Sequence, residues 1–174
     1  RTLLNDIVLH DGITAPDVIL EHLRIRLIDT LRQNEELMTI KDGIDGIIVK
    51  YDPAKNLLSF AGSYNPLVHI HDHRLEKIKT DRIPIGYYEN FKKFNLYTIP
   101  IVKGDLVYIS SDGYIDQFGG IERRKLLFSG YSGQLERIHG MDMEGQKKEL
   151  REFIENWRGE NEQTDDIIIV GLKF

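Results

Sequence analysis

Cysteine is absent from the 174 residues. That removes disulfide scaffolds, thiolate metal sites and cysteine nucleophiles together. Neither Gly-x-Ser-x-Gly nor Gly-x-x-x-x-Gly-Lys occurs, so the chain has no serine elbow and no phosphate-cradling loop. No uninterrupted apolar run is longer than residues 167–170, far short of the roughly 18–20 residues that span a bilayer. The first residues lack a basic-then-apolar leader pattern. Positive charge is not in excess: 23 Lys and Arg face 28 Asp and Glu, for a net charge of −5. The densest basic block is Arg123-Arg124-Lys125, too short for a nucleic-acid footprint. Repeats and low-complexity segments are missing as well. At 41% hydrophobic and 29% charged residues, the composition is that of a folded domain rather than a disordered chain. The length suits a single domain over 1–174, one that buries about 68–70% of its unfolded surface. A cytoplasmic location fits the lack of cysteine. The chain does not begin with Met, and Arg1-Thr2-Leu3-Leu4-Asn5 reads as the middle of an amphipathic segment. The natural protein is therefore expected to continue upstream.

The order of elements is informative. Thr14-Ala15-Pro16-Asp17 has the form of a helix start, with Thr14 as N-cap. Val18, Ile19, Leu23, Leu27 and Leu31 then recur at helical spacing, predicting a helix over about 15–33. Beyond it the period shortens. Strands are expected at 44–51, 57–61, 67–70, 75–79, 94–101 and 106–109. Asp52-Pro53-Ala54-Lys55-Asn56 forms the first hairpin turn, and 83–86 is expected to be a loop. Leu150, Phe153, Ile154 and Trp157 form one apolar helical stripe, closed by Gly159. The run at 166–172 reads as a central strand buried on both faces. A helix, many antiparallel strands, helices and a strand make an α+β fold.

Two places carry chemistry. The apolar strand Leu106-Val107-Tyr108-Ile109 runs into Ser110-Ser111-Asp112-Gly113, and Thr164-Asp165-Asp166 precedes the last strand. Carboxylates at two strand ends, side by side in one sheet, would offer oxygen donors to a hard cation such as Mg²⁺ or Mn²⁺. Read locally, the same residues are also an ordinary Asp-Gly turn and a solvated strand entry.

The segment Asp112-Gly113-Tyr114-Ile115-Asp116-Gln117-Phe118-Gly119-Gly120, taken with Gln163-Thr164-Asp165-Asp166-Ile167, resembles the SpoIIE-like (RsbU-type) branch of the metal-dependent PPM protein phosphatases. Phe60-Ala61-Gly62-Ser63-Tyr64-Asn65-Pro66 and Arg82-Ile83-Pro84-Ile85-Gly86 are similar to its intervening segments. The resemblance implies an antiparallel β-sandwich flanked by α-helices. It also implies a dinuclear Mn²⁺ or Mg²⁺ centre, with Asp112 and Asp165 each binding one metal and Asp166 a weaker third candidate. The implied reaction is hydrolysis of phosphoserine or phosphothreonine by metal-activated water attacking phosphorus in line. The implied partners are a regulatory phosphoprotein of the anti-anti-sigma-factor kind and an upstream sensor in bacterial signalling, with a homodimer as a further expectation. One departure bears on activity. The family's Asp-x-x-Gly-His-Gly motif, which bridges the metals, has no counterpart here, and Leu3-Leu4-Asn5-Asp6-Ile7-Val8 resembles the helix that follows it. The domain is thus expected to lack its N-terminal part, and these residues alone are expected to bind metal weakly and hydrolyse little.

Other clusters compete. His69, His71 and His73 alternate and could face one way as a zinc site of an unrelated metallohydrolase; a polar hairpin turn between Val68 and Leu75 is the plainer reading. Asp42 and Asp45 flank a strand entry, and Asp116 sits near the candidate metal loop. His139-Gly140 reads as a helix end, and Trp157 as a core anchor. The alternative to an enzyme is a non-catalytic regulatory or dimerisation module of the same lineage.

Overall fold

The computed structural model describes residues 2–31, 43–89 and 92–174. The chain packs as two compact units, Arg1–Pro66 with Lys79–Ile101, and Leu67–Ile78 with Val102–Phe174. Every pairing between named strands is antiparallel among the described residues, so the α+β reading holds.

In the first unit, α1 (Thr2–Asn5) runs into a π-helical turn at Asp6–His10, followed by α2 (Pro16–Thr30). The predicted end at residues 32–33 lies outside the described residues. The N-cap of α2 is Ala15, with Pro16 in the first turn, where its missing N–H costs nothing. Thr14 is therefore not the cap; its hydroxyl accepts a hydrogen bond from Lys50 Nζ at 3.0 Å. The buried face of α2 is Pro16, Ile19, Leu20 and Arg24, while Val18 and Leu31 are exposed. Arg24 enters an apolar face because its guanidinium lies over the Phe94 ring at 4.3 Å and donates to the Lys92 carbonyl at 2.9 Å.

Strands β1 (Gly43–Ile44), β2 (Gly46–Asp52) and β3 (Leu57–Ser63) follow. Asp52 Oδ1 accepts from the Ala54 and Lys55 amides, which fixes the expected turn. Later in the chain, β6 (Ile85–Gly86) pairs β1, so part of the expected loop at 83–86 is a strand. β7 (Tyr97–Pro100) completes a three-stranded sheet of order β2-β3-β7. Phe94 precedes β7 and is packed in the core with Leu20, Ala61, Ile83 and Ile85.

The second unit is built on a four-stranded sheet. Its strands are β4 (Leu67–His71), β5 (Arg74–Ile78), β8 (Leu106–Ser110) and β11 (Ile169–Lys173), in the order β11-β8-β4-β5. Among the described residues β11 is therefore an edge strand, not the expected central one, and Ile168 and Val170 are exposed. A continuous apolar run does not show how many neighbours a strand has; β8 and β4 are the strands flanked on both sides. Between β8 and β11 lie α3 (Gly113–Asp116), β9 (Phe118–Gly119), β10 (Arg124–Lys125), α4 (Leu127–Ile138) and α5 (Met143–Arg158). Helix α5 begins at Asp142, whose carboxylate accepts from the Gly145 amide at 2.7 Å, and ends at Gly159. Its Leu150 and Ile154 pack with Val68, Tyr108, Tyr114, Tyr131 and Leu135. Each such fully buried apolar side chain contributes about 1.5–3 kcal/mol.

Candidate functional site

Strand β8 carries Asp112 toward the entry of β11. The ladder pairs Ile169 with Ser110 and then continues by other means. The Ser111 amide donates to the Ile168 carbonyl at 2.9 Å. The Ser111 hydroxyl donates to the Asp166 carbonyl at 2.8 Å and accepts from the Ile168 amide at 2.9 Å. Gly113 closes the seam, because a Cβ there would overlap the Asp166 carbonyl. Only glycine permits this backbone approach. The segments carrying Asp112 and Asp165–Asp166 are thereby laced together.

The three carboxylates are exposed. The Asp166 amide donates to Asp165 Oδ1 at 2.7 Å, which orients that carboxylate, and Gln163 Nε2 donates to the Asp165 carbonyl at 2.8 Å. Asp116 is instead paired with Lys125 at 2.8 Å. The motif loop beyond Asp112 is pinned by α5. Trp157 Nε1 donates to the Gln117 carbonyl at 3.1 Å, a Cβ at Gly119 would overlap the Trp157 carbonyl, and Gln117 Nε2 donates to the Glu162 carbonyl at 2.9 Å. Trp157 thus has the core role its stripe predicts and ties the loop after Asp112 to α5, while Gln117 ties it to the segment before Asp165.

Exposed carboxylates are the donor type that hard divalent cations take, and here they stand on two chain segments whose backbones a hydrogen-bonded seam joins. They are not a complete coordination sphere. Among the described residues, the one group of three possible ligands with donor atoms within 4.8 Å of one another lies elsewhere, at His69, His71 and Asp105.

That group answers the histidine question. β4 and β5 form the expected hairpin, pairing His71 with Arg74, and its two turn residues Asp72 and His73 both have positive φ (46° and 61°), as a tight two-residue turn requires. The alternation therefore stops at His71. His69 Nε2 meets Asp105 Oδ2 at 3.0 Å, and His71 Nδ1 meets Asp105 Oδ1 at 2.8 Å, whereas His73 turns to His139, ring nitrogens 2.9 Å apart. Asp105 is 2% exposed. Its burial raises the carboxyl pKa, but hydrogen bonds from the Val102 amide, His71 and His69 outweigh that and hold it below the ordinary carboxylate value. In sequence, Lys103-Gly104-Asp105 has the chemistry of a turn and nothing more. The available clue was the period-two histidine pair, which needed a polar partner on a neighbouring strand.

Asp42 lies outside the described residues, and Asp45 accepts a hydrogen bond from Ser63 Oγ at 3.2 Å. His139 stands at the C-terminal end of α4 as expected. No helix among the described residues is long and apolar enough to cross a membrane.

A family model described as Stage II sporulation protein E (SpoIIE) matches residues 1–174. No curated protein matches. Among solved structures, the chain is similar to the SiaA-PP2C domain of Pseudomonas aeruginosa (TM-score 0.89, 22% identity), covering 100% of this chain and 67% of that one. It is also similar to the PP2C phosphatase domain of SpoIIE from Bacillus subtilis solved with a fragment of its regulatory domain (TM-score 0.71, 17% identity), covering 99% of this chain and 48% of that one. A third likeness is to the RsbU and RsbW domains of Rv1364c from Mycobacterium tuberculosis (TM-score 0.69, 13% identity), covering 99% and 45%. At these identities the likeness shows the fold, which is that of PP2C phosphatase domains. The chain spans about half the length of the second and third of these.

Proposed function

The chain belongs to the SpoIIE family, and on that premise we propose that it is part of a metal-dependent protein serine/threonine phosphatase domain of bacterial signalling. The observation that carries the reading is the seam that sets Asp112 and Asp165 on adjoining strand ends. Mn²⁺ or Mg²⁺ bound there would activate a water and stabilise phosphoryl oxygens. The protein's part is to hold the donors. Asp112 and Asp165 supply carboxylate oxygens, and Asp166 orients Asp165 through its amide more than it offers a ligand. Ser111 and Gly113 fix the spacing. The substrate is a regulatory phosphoprotein, and an upstream sensor and a cytoplasmic location go with this reading.

These 174 residues contain no Gly-His-Gly, and we assign them weak metal binding and little turnover on their own. Calorimetric Mn²⁺ titration with assays on a phosphoserine peptide and p-nitrophenyl phosphate tests both. We expect weak Mn²⁺ binding abolished by Asp112→Ala and by Asp165→Ala, with turnover near background. Binding indifferent to both substitutions overturns the site. Strong turnover lost in both variants overturns only the inactivity of this segment and upholds the phosphatase.

A further inference from the structure

We infer that His69, His71 and Asp105 form a binding site for one zinc-class divalent cation, separate from the carboxylates at Asp112 and Asp165. The donor chemistry differs from a hard-cation centre. Two imidazole nitrogens and one carboxylate oxygen suit Zn²⁺, whose catalytic-type sites use three protein ligands and an open fourth position.

The three donors come from fixed places. His69 and His71 alternate on β4 and so share one face of the sheet. Asp105 is the residue before β8, which pairs β4 directly. The three donor atoms lie within 4.8 Å of one another. Tetrahedral ligation with bonds of about 2.0–2.2 Å places donors about 3.4 Å apart. His71, whose side chain is 56% exposed, has room to make the adjustment of about 1 Å that this requires. Asp105 keeps its Val102 amide at 3.0 Å on Oδ2, the kind of outer hydrogen bond that orients a ligating carboxylate. The N–H bonds that now reach Asp105 would be replaced by the cation, each ring moving its proton to its other nitrogen.

His71 and Asp105 line a cavity of about 520 Å³ together with Lys103 and Lys173. The open position would thus face solvent and two ammonium groups, suiting water or a small anion as fourth ligand. His73 and His139 line it too but are satisfied otherwise. His139 Nδ1 donates to the Glu136 carbonyl at 2.6 Å, leaving Nε2 to accept from His73 Nδ1. Asp105 and Asp112 bracket β8 from its two ends, seven residues apart in sequence, or about 20 Å along an extended chain. The two sites therefore cannot share an ion.

The test is titration of the metal-stripped chain with Zn²⁺ by calorimetry, and with Co²⁺ by visible absorption, which is intense for four-coordinate cobalt. We expect one Zn²⁺ per chain, a Zn²⁺-dependent rise in melting temperature, and the cobalt band. His71→Ala, a change at a half-exposed side chain that leaves the circular dichroism unaltered, is expected to weaken binding at least about tenfold and abolish the band. Asp105→Asn should do the same, whereas His73→Ala and Asp112→Ala should keep both. No stoichiometric Zn²⁺ uptake, uptake equal in His71→Ala, or uptake lost in His73→Ala would overturn the assignment.

Discussion

Gly113 has no room for a side chain, because the Asp166 carbonyl occupies the place its Cβ would take. Overpacking against backbone costs about 1–3 kcal/mol, and relief at this point means opening the seam between Asp112 and Asp165. Gly113→Ala is therefore expected to lower stability by about that amount in urea unfolding and to weaken Mn²⁺ binding together with it. A destabilised variant with unchanged Mn²⁺ affinity would show that the seam does not set the site. The Asp112-Gly113 pair was visible in the sequence as a turn and as a candidate ligand-bearing strand end, but the backbone contact that demands Gly113 was not, since its partner lies more than fifty residues on. Asp105 was hidden for the same reason: its role is set by histidines on another strand. Thr14 failed as a cap because Pro16 starts the helix one residue later and a lysine on β2 claims the hydroxyl.

Among elements, those with a local period were legible and those defined by neighbours were not. The α5 stripe, its Gly159 end and the Asp52 turn read directly from spacing and turn chemistry. The edge position of β11 did not, because apolar content reports burial and says nothing of strand order. The elements of the second unit meet around tyrosines. Tyr108 on β8 bonds Gln146 on α5, and Tyr114 on α3 bonds the Leu150 carbonyl at 2.9 Å. Burial pushes the Tyr108 phenol up to about 12, against the opposing effect of Gln146, and it also raises Tyr114 and Tyr131. An unfolded phenol ionises near pH 10. Because the folded values are higher, the stability these groups contribute is complete below about pH 10 and falls as pH rises toward about 12. Tyrosinate absorbance followed with far-ultraviolet circular dichroism should show the buried phenols ionising only as helix and sheet signals are lost. Ionisation of all eight tyrosines near pH 10, with dichroism intact, would contradict this packing.

For the whole molecule, the chain's path matters more than its length. The hairpin of β4 and β5 is interposed between two stretches of the first unit, yet it belongs to the sheet of the second. Neither unit is continuous in sequence. A fragment of residues 102–174 lacks β4, and with it one of the two strands paired to β8 and the core residues Val68 and Ile70. We expect no cooperative melting transition from that fragment, in contrast to the intact chain; a sharp transition would mean that the hairpin is dispensable. The fold class and the convergence of the two acidic strand ends were legible in the sequence, because a family pattern preserves order and spacing. The division into two units was not, because it depends on which strands pair across long intervals. On the proposed function, Asp112 and Asp165 act together on one hard-cation centre. This is tested most directly by electron paramagnetic resonance of Mn²⁺, which reads the loss of the free-ion signal on binding. We expect binding by the unaltered chain and by Asp116→Ala, and its loss in Asp112→Ala and in Asp165→Ala alike. Binding that survives either of those last two substitutions would contradict it.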